Sequence, residues 1–244
     1  MDTDRIVFLI VMGWTLIIHG GLTYLIVKKK EYGLISGFGT RPEEEKEYLR
    51  NSGYIEVLGK VLKITFYLLV LTVLMAFLPI SYGFEIGLGL FLLVLMVGIV
   101  WNQRYEVPRK RKKMLWISGI VSVVTLLLVF GLMLLGFIEN KVTIKNNTFI
   151  VSGIYGVEWE MKEIEGVELL EEMPEVIVKS NGFASAGHLK GRFRLEAPYE
   201  GAILFVTVGN PPYLYVKTRD DDLLLNRENS EETIKIYRQL KKAD

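Results

Sequence analysis

Residues 28–50 read KKKEYGLISGFGTRPEEEKEYLR. Three lysines close one long apolar run, and a second apolar run opens about ten residues beyond Arg50. A phosphate-cradling loop would need glycines that bring backbone N–H groups onto an anion at the start of a helix, after a strand. Here Gly33, Gly37 and Gly39 punctuate apolar residues, no Gly-Lys-Ser/Thr follows and no strand pattern precedes. The nucleotide reading fails. The stretch is a polar connector between two apolar segments, so those segments decide the class of fold.

Working outward, Ile6 to Val27 is uncharged for 22 residues, enough for a bilayer core that needs roughly 20. Val61 to Ile80 carries only Lys63 and Gly83 to Trp101 only Glu85, each near an end where a long side chain can snorkel. Met114 to Ile138 is a clean run of 25. The turn Pro79 to Gly83 makes the second and third segments a tight helical hairpin. The N-terminal MDTDR has two acids and one base, the wrong start for a cleaved signal peptide, so the first run reads as a retained anchor. Residues 1–138 are therefore expected to be an all-α bundle of four transmembrane helices.

The lack of cysteine excludes disulfide frameworks and thiolate chemistry, and two histidines make histidine-based metal sites improbable; no cofactor or metal is expected. Residues 1–138 hold 15 Lys+Arg against 10 Asp+Glu, net +5, and residues 139–244 hold 14 against 18, net −4. An acidic tail is not a nucleic-acid binder. Lysine and arginine crowd the connector of residues 28–60 and the run NQRYEVPRKRKKM, 102–114. Both loops are expected on the cytoplasmic side of the cell membrane, which puts both termini outside after four crossings. Arg109, Lys110, Arg111, Lys112 and Lys113 form a polybasic cluster beside the membrane. It reads either as a topology anchor or as a set of lipid-headgroup contacts.

Within the first connector, Thr40 as N-cap, Pro42 in the first turn and Glu43 at the capping-box position predict a short cytoplasmic helix over 41–51. Glu43, Glu44 and Glu45 suit the positive end of its dipole. Leu34, Ile35 and Phe38 are expected to tuck against the bilayer or the bundle floor. The pattern Tyr-Gly-Leu-Ile-Ser-Gly-Phe-Gly-Thr followed by Glu-Glu-Glu-Lys-Glu-Tyr resembles a family of uncharacterised prokaryotic small membrane domains. In that family a Y-G/D-L-I-x-G-Y/F-x-T loop and an E-E-K segment join the first two spans. The resemblance covers about Ile6 to Trp101 and implies architecture without an activity. Gly-Phe-Gly-Thr-Arg is more distantly similar to the loop of Sdp-type immunity membrane proteins, whose pattern is closer to G-x-R-T. Inside the bundle, His19 is either a polar functional residue or an interhelical hydrogen-bonding group beside Gly20 and Gly21. Gly83 with Gly87, and Ser118 with Ser122, are small-xxx-small pairs suited to close helix packing.

After Ile138 the periodicity changes. Short β-rich runs (VTIKNN, TFIVSG, GVEWEM, VELLE, VIVKS, GRFRLEA, AILFVTV, YLYVKTR, DLLLN) are split by Gly, Asn, Asp and Pro. Thr218 to Asp222 is a hairpin turn. Ser230 is expected to cap a helix over 231–241 with an apolar stripe of Ile234, Tyr237 and Leu240. About seven strands and one C-terminal helix outline a mainly-β, pleckstrin-homology-like barrel over 139–244. Lys179-Ser-Asn-Gly-Phe-Ala-Ser-Ala-Gly-His-Leu-Lys-Gly-Arg-Phe resembles the Asn-Gly-rich loop of bacterial pleckstrin-homology-like domains. Asn210-Pro-Pro-Tyr-Leu-Tyr-Val-Lys-Thr looks like the same family's N-P-P-Y strand. The glycine-rich loop Asn181 to Gly191 is the candidate interaction site, with Asn181, Gly182, Phe183, Gly187, Lys190, Arg192 and Arg194. Phe183 either meets a partner or lids the barrel.

Three adjacent aspartates, Asp220 to Asp222, splay at a turn and suit neither shared-proton nor metal chemistry. A non-enzymatic membrane protein whose outward domain binds a protein or envelope partner is the leading expectation. A small transporter or immunity-type membrane factor acting through the bundle is the alternative.

Overall fold

The structure, a computed structural model, describes residues 3–78, 82–185 and 187–243. The expected turn at Pro79 to Gly83 falls largely on residues 79–81, outside the described residues. The chain divides into two compact units, 1–131 and 132–244.

The first unit is helical: α1 (Thr3–Val27), α2 (Glu43–Asn51), α3 (Tyr54–Met75), α4 (Gly83–Asn102) and α5 (Pro108–Phe137), whose last turns from Leu132 group with the second unit. Of these, α1, α3, α4 and α5 are long and apolar enough to cross a membrane. Their outer faces leave Trp14, Tyr67, Leu127 and Leu134 more than half exposed, a surface that suits lipid rather than water. These are the features of a multi-pass membrane protein.

Helix α3 is the hub, and small residues let its neighbours approach. A Cβ at Gly87 of α4 would lie 2.6 Å from Thr72 Oγ1, and one at Gly20 of α1 would lie 2.7 Å from the Phe66 ring. Thr65 and Thr72 are buried on α3, and their hydroxyls bond the carbonyls of Val61 and Leu68 at 2.8 Å. Without such bonds, polar groups in an apolar bundle would carry an unmatched desolvation cost.

Two helix starts differ from expectation. The basic run 109–113 is not loop: α5 begins at Pro108, whose missing N–H is harmless in a first turn. Helix α2 begins at Glu43 rather than Arg41, and Thr40 does not cap it; its hydroxyl donates to the Gly37 carbonyl at 3.4 Å. Pro42, extended at ψ 149°, takes the N-cap place. Ile35 and Phe38 are buried with Leu49, Tyr54 and Ile26, whereas Leu34 remains exposed.

The second unit contains nine strands and a helix among its described residues: β1 (Val142–Lys145), β2 (Thr148–Val151), β3 (Val157–Glu160), β4 (Ile164–Leu170), β5 (Val176–Ser185), β6 (His188–Leu195), β7 (Gly201–Thr207), β8 (Tyr213–Thr218), β9 (Asp222–Leu225) and α6 (Ser230–Ala243). Strands β1-β2-β3 form one antiparallel sheet; the other has the order β4-β8-β9-β7-β6-β5, with β7 and β9 parallel. The closed seven-strand barrel expected from the pattern is not formed; β4 and β5 are edges of the larger sheet. Those two edges are nonetheless consecutive in the chain, joined by residues 171–175. That link reaches at most about 22 Å, less than the roughly 24 Å width of six flat strands, so the sheet must curl.

Curling gives the large sheet two cores. Ile203, Phe205, Leu214, Val216, Leu223 and Leu225 pack with Phe149, Val151 and Leu240, beneath the small sheet and α6. Phe193, Leu195, Leu204, Val206, Tyr213, Tyr215 and Leu224 form the second, on the opposite face of the strands. Strands buried on both faces need apolar residues at every position, which is why AILFV, YLYV and LLL run unbroken instead of alternating.

Buried Asn226 clasps the parallel pair: its Oδ1 accepts from Thr207 N at 2.8 Å, and its Nδ2 donates to the carbonyls of Thr207 at 2.8 Å and Asn210 at 2.5 Å. Helix α6 starts at Ser230, and its cap is Asn229, whose Oδ1 accepts from Glu231 N at 2.9 Å. Its inner stripe is Thr233, Ile236, Tyr237 and Leu240 rather than one built on Ile234.

Candidate functional site

In the helical unit the opening stretch is bound to the basic run that precedes and enters α5. Arg41 donates two hydrogen bonds to Glu106, at 2.6 and 2.9 Å, in the bidentate fork that guanidinium and carboxylate geometry favours. The Glu106 side chain is fully buried, and hydrogen bonding to it raises the hold of Arg41 on its proton. Glu106 also accepts from Val107 N at 2.9 Å, so one carboxylate anchors the loop and the entrance to α5. Around it, Lys110 pairs with Glu45 at 2.7 Å, Arg111 donates to the Tyr48 hydroxyl at 3.2 Å, and Ser52 donates to the Tyr105 carbonyl at 2.8 Å. The Lys110 bond holds the Glu45 carboxyl below the usual carboxylate range.

This divides the polybasic cluster. Lys110 and Arg111 are tied to internal partners, Glu45 for the first and the Tyr48 hydroxyl and Glu106 carbonyl for the second. Arg109, Lys112 and Lys113 are exposed. Sequence reading missed Glu106, although it is the only acid between Glu85 and Glu139, placed directly before a basic helix start. Such isolation is the signal of a carboxylate retained for an internal partner.

His19 on α1 lies 3.1 Å from Thr65 Oγ1 on α3 through Nε2, with the rings of Phe66 and Phe91 about it. That is the interhelical bond expected of a polar residue in an apolar bundle.

In the β-rich unit, the expected loop Asn181 to Gly191 is instead a hairpin: β5 and β6 pair throughout, with Gly182 opposite Gly191 and Ser185 opposite His188. Ala186 lies outside the described residues. The glycines serve close backbone approach. Gly191 has φ +115°, and a Cβ there would strike the Asn181 carbonyl. Gly187, at φ +80°, turns the tip, where any side chain other than hydrogen would be strained.

Several of the candidate residues meet residues 136–138 of the same unit. Phe183 packs edge-on to Phe137 with centroids 5.3 Å apart, His188 does the same at 5.2 Å, and Lys190 Nζ donates to the Ile138 carbonyl. Burial lowers the Lys190 pKa. Phe183 therefore neither lids a barrel nor stands free. Asn181 and Arg194 are exposed on the hairpin.

Arg192 is different. It grips Asp221 with two bonds, at 2.5 and 2.9 Å, which raise its pKa. This pair stands in the wall between two cavities. One, of about 540 Å³, is lined by Arg192, Phe193, Glu200, Lys217, Asp221 and Asp222 among others. The second, about 340 Å³, is lined by Tyr155, Val157, Trp159 and Ile203 with Arg192, Asp221 and the exposed Ile154. Beside them Tyr215 donates to Asp222, and burial together with that bond pushes its pKa up. Two adjoining hollows that share a charged pair, one of them also walled by aromatic and aliphatic side chains, can hold a ligand with both polar and apolar parts. Among the described residues, no cluster of His, Cys, Asp or Glu is arranged to hold a metal ion.

No family model matches the chain, and neither a curated protein nor a solved structure matches it.

Proposed function

We propose that the chain is a multi-pass protein of the cell membrane that works without catalysis, its β-rich unit serving as the binding module for a protein or envelope partner. The observation that carries this is Arg192, a residue singled out by sequence, which lines both cavities and is held by Asp221 at their common wall. The neighbouring Ile154, 78 % exposed, and the Tyr155–Trp159 wall supply the apolar half of such a contact. Kinship with bacterial pleckstrin-homology-like domains is supported by two sheets followed by a helix on the core, and the parallel β7–β9 pair is a departure from a simple meander. Kinship with the uncharacterised small membrane-domain family rests on the connector motif alone.

Lysine and arginine bias favours cytoplasmic basic loops and outward termini. The chain has no cysteine, so single-cysteine variants report this cleanly. A membrane-impermeant maleimide added to intact cells should label Asp220→Cys and spare Ser36→Cys; the reverse pattern defeats the outward-facing reading. For binding, a photo-crosslinking residue at Ile154 of the full chain should trap one reproducible species, lost with Arg192→Ala. Identical adducts from position 177 on the β5 edge would count against the cavities as the site.

The second reading, a transporter or immunity-type factor acting through the bundle, rests on His19. Its bond to Thr65 favours a structural part for that residue. An intact bundle-dependent phenotype in His19→Ala would remove this reading's main support.

A further inference from the structure

The five cations of residues 109–113 are not equivalent, and the difference marks a lipid site. Lys110 and Arg111 turn inward to Glu45, Tyr48 and the Glu106 carbonyl. Arg109, Lys112 and Lys113 are exposed, and their side chains make no ion pair or hydrogen bond among the described residues. Their spacing is i, i+3, i+4, and Trp116, 66 % exposed, adds i+7. Residues so spaced share one face of a helix, here the 30-residue α5. The face therefore presents three unneutralised positive charges and then an indole.

Depth along the chain identifies the occupant. Lys113 directly precedes the uncharged run of 25 residues that begins at Met114. At about 1.5 Å of rise per residue, the three cations lie within about one and a half turns of the hydrocarbon edge, and Trp116 lies just below it. That is the level of phosphodiesters and, for Trp, of the interfacial belt.

We propose that Arg109, Lys112, Lys113 and Trp116 form a binding site for the headgroup of an anionic phospholipid, with the cations on its phosphate and the indole at the glycerol level. The site is independent of the binding reading for the β-rich unit, since it belongs to the helical one. Lys110 and Arg111, though part of the same basic run, contribute nothing direct to it.

Native mass spectrometry of the full chain in detergent, titrated with dioleoylphosphatidylglycerol, dioleoylphosphatidylcholine or inorganic phosphate, tests this. Phosphatidylglycerol should bind at a defined stoichiometry and much more tightly than phosphatidylcholine. Each Gln substitution at Arg109, Lys112 or Lys113 should weaken it roughly fivefold, and the triple variant on the order of a hundredfold. Removing equal charge from α6, as Lys235→Gln, Lys241→Gln and Lys242→Gln, should leave binding unchanged. Added salt should weaken phosphatidylglycerol binding. Equal binding of both lipids, full retention in the triple variant, or equal loss in the α6 variant would overturn the site. Equally tight binding of inorganic phosphate would show a simple anion site instead of a lipid one. Should the triple variant misfold, the single Lys112→Gln and Lys113→Gln variants decide the matter in the same way: undiminished phosphatidylglycerol binding in both overturns the site.

Discussion

Two glycine-punctuated stretches, 33–39 and 181–191, look alike as sequence and are built differently. The first remains a connector, its fold set by side chains: Phe38 and Ile35 go into a small core, and Arg41 beyond it reaches Glu106, 65 residues away. The second is backbone paired to backbone, Gly182 against Gly191, with little room for side chains between. A loop held by one buried charge pair should fail when a charge is removed and tolerate added methyl groups. A hairpin held by close approach should do the reverse.

The largest effect is expected at the charge pair. Removing one partner of a buried pair strands the other, at about 3–5 kcal/mol. Glu106→Ala should therefore lower stability by that order in denaturant unfolding of the detergent-solubilised chain. The double change Arg41→Met with Glu106→Leu should recover much of it. A loss below about 1 kcal/mol in Glu106→Ala would make the pair an ordinary surface bridge.

The glycines come next. Ala at Gly191 meets both a left-handed φ of +115° and the Asn181 carbonyl. It should cost about 2–3 kcal/mol and disturb amide protection along β5 and β6. Ala at Gly37 meets only the backbone term, at φ +72° with nothing within 4 Å, and should cost about 1 kcal/mol. Equal losses at the two positions would erase the distinction between the stretches.

The smallest effect is a pH dependence. The folded Glu45 carboxyl is lowered by Lys110, so their bond contributes above the unfolded carboxylate range and is lost as pH falls through the lowered value. Glu45→Gln should flatten the stability profile slightly in that acid window and leave the alkaline side unchanged.

Much of the fold was legible in advance. Apolar run length located all four long helices, and each of the nine β-rich runs became a strand. The misreading at 181–191 has a physical cause. Register shifts between Val176 and Val178 and between Lys179 and Asn181 break the two-residue alternation, and paired glycines imitate a loop. Of the candidate site, Arg192 and the Asp220 to Asp222 turn each stood out in sequence, but their pairing did not, since a hydrogen bond across 29 residues leaves no local pattern. The clasp at Asn226 was equally invisible, because a parallel strand pair requires a crossover that hydropathy does not specify.

By itself the sequence determined that the chain has a lipid-facing half and a β-rich half, because hydropathy and periodicity are sums over neighbouring residues. Tertiary structure alone decided which of five adjacent cations stay free, which edge each strand takes, and which glycines touch. Those outcomes depend on groups brought together from far along the chain, where the energy of a contact exists only after the chain has closed.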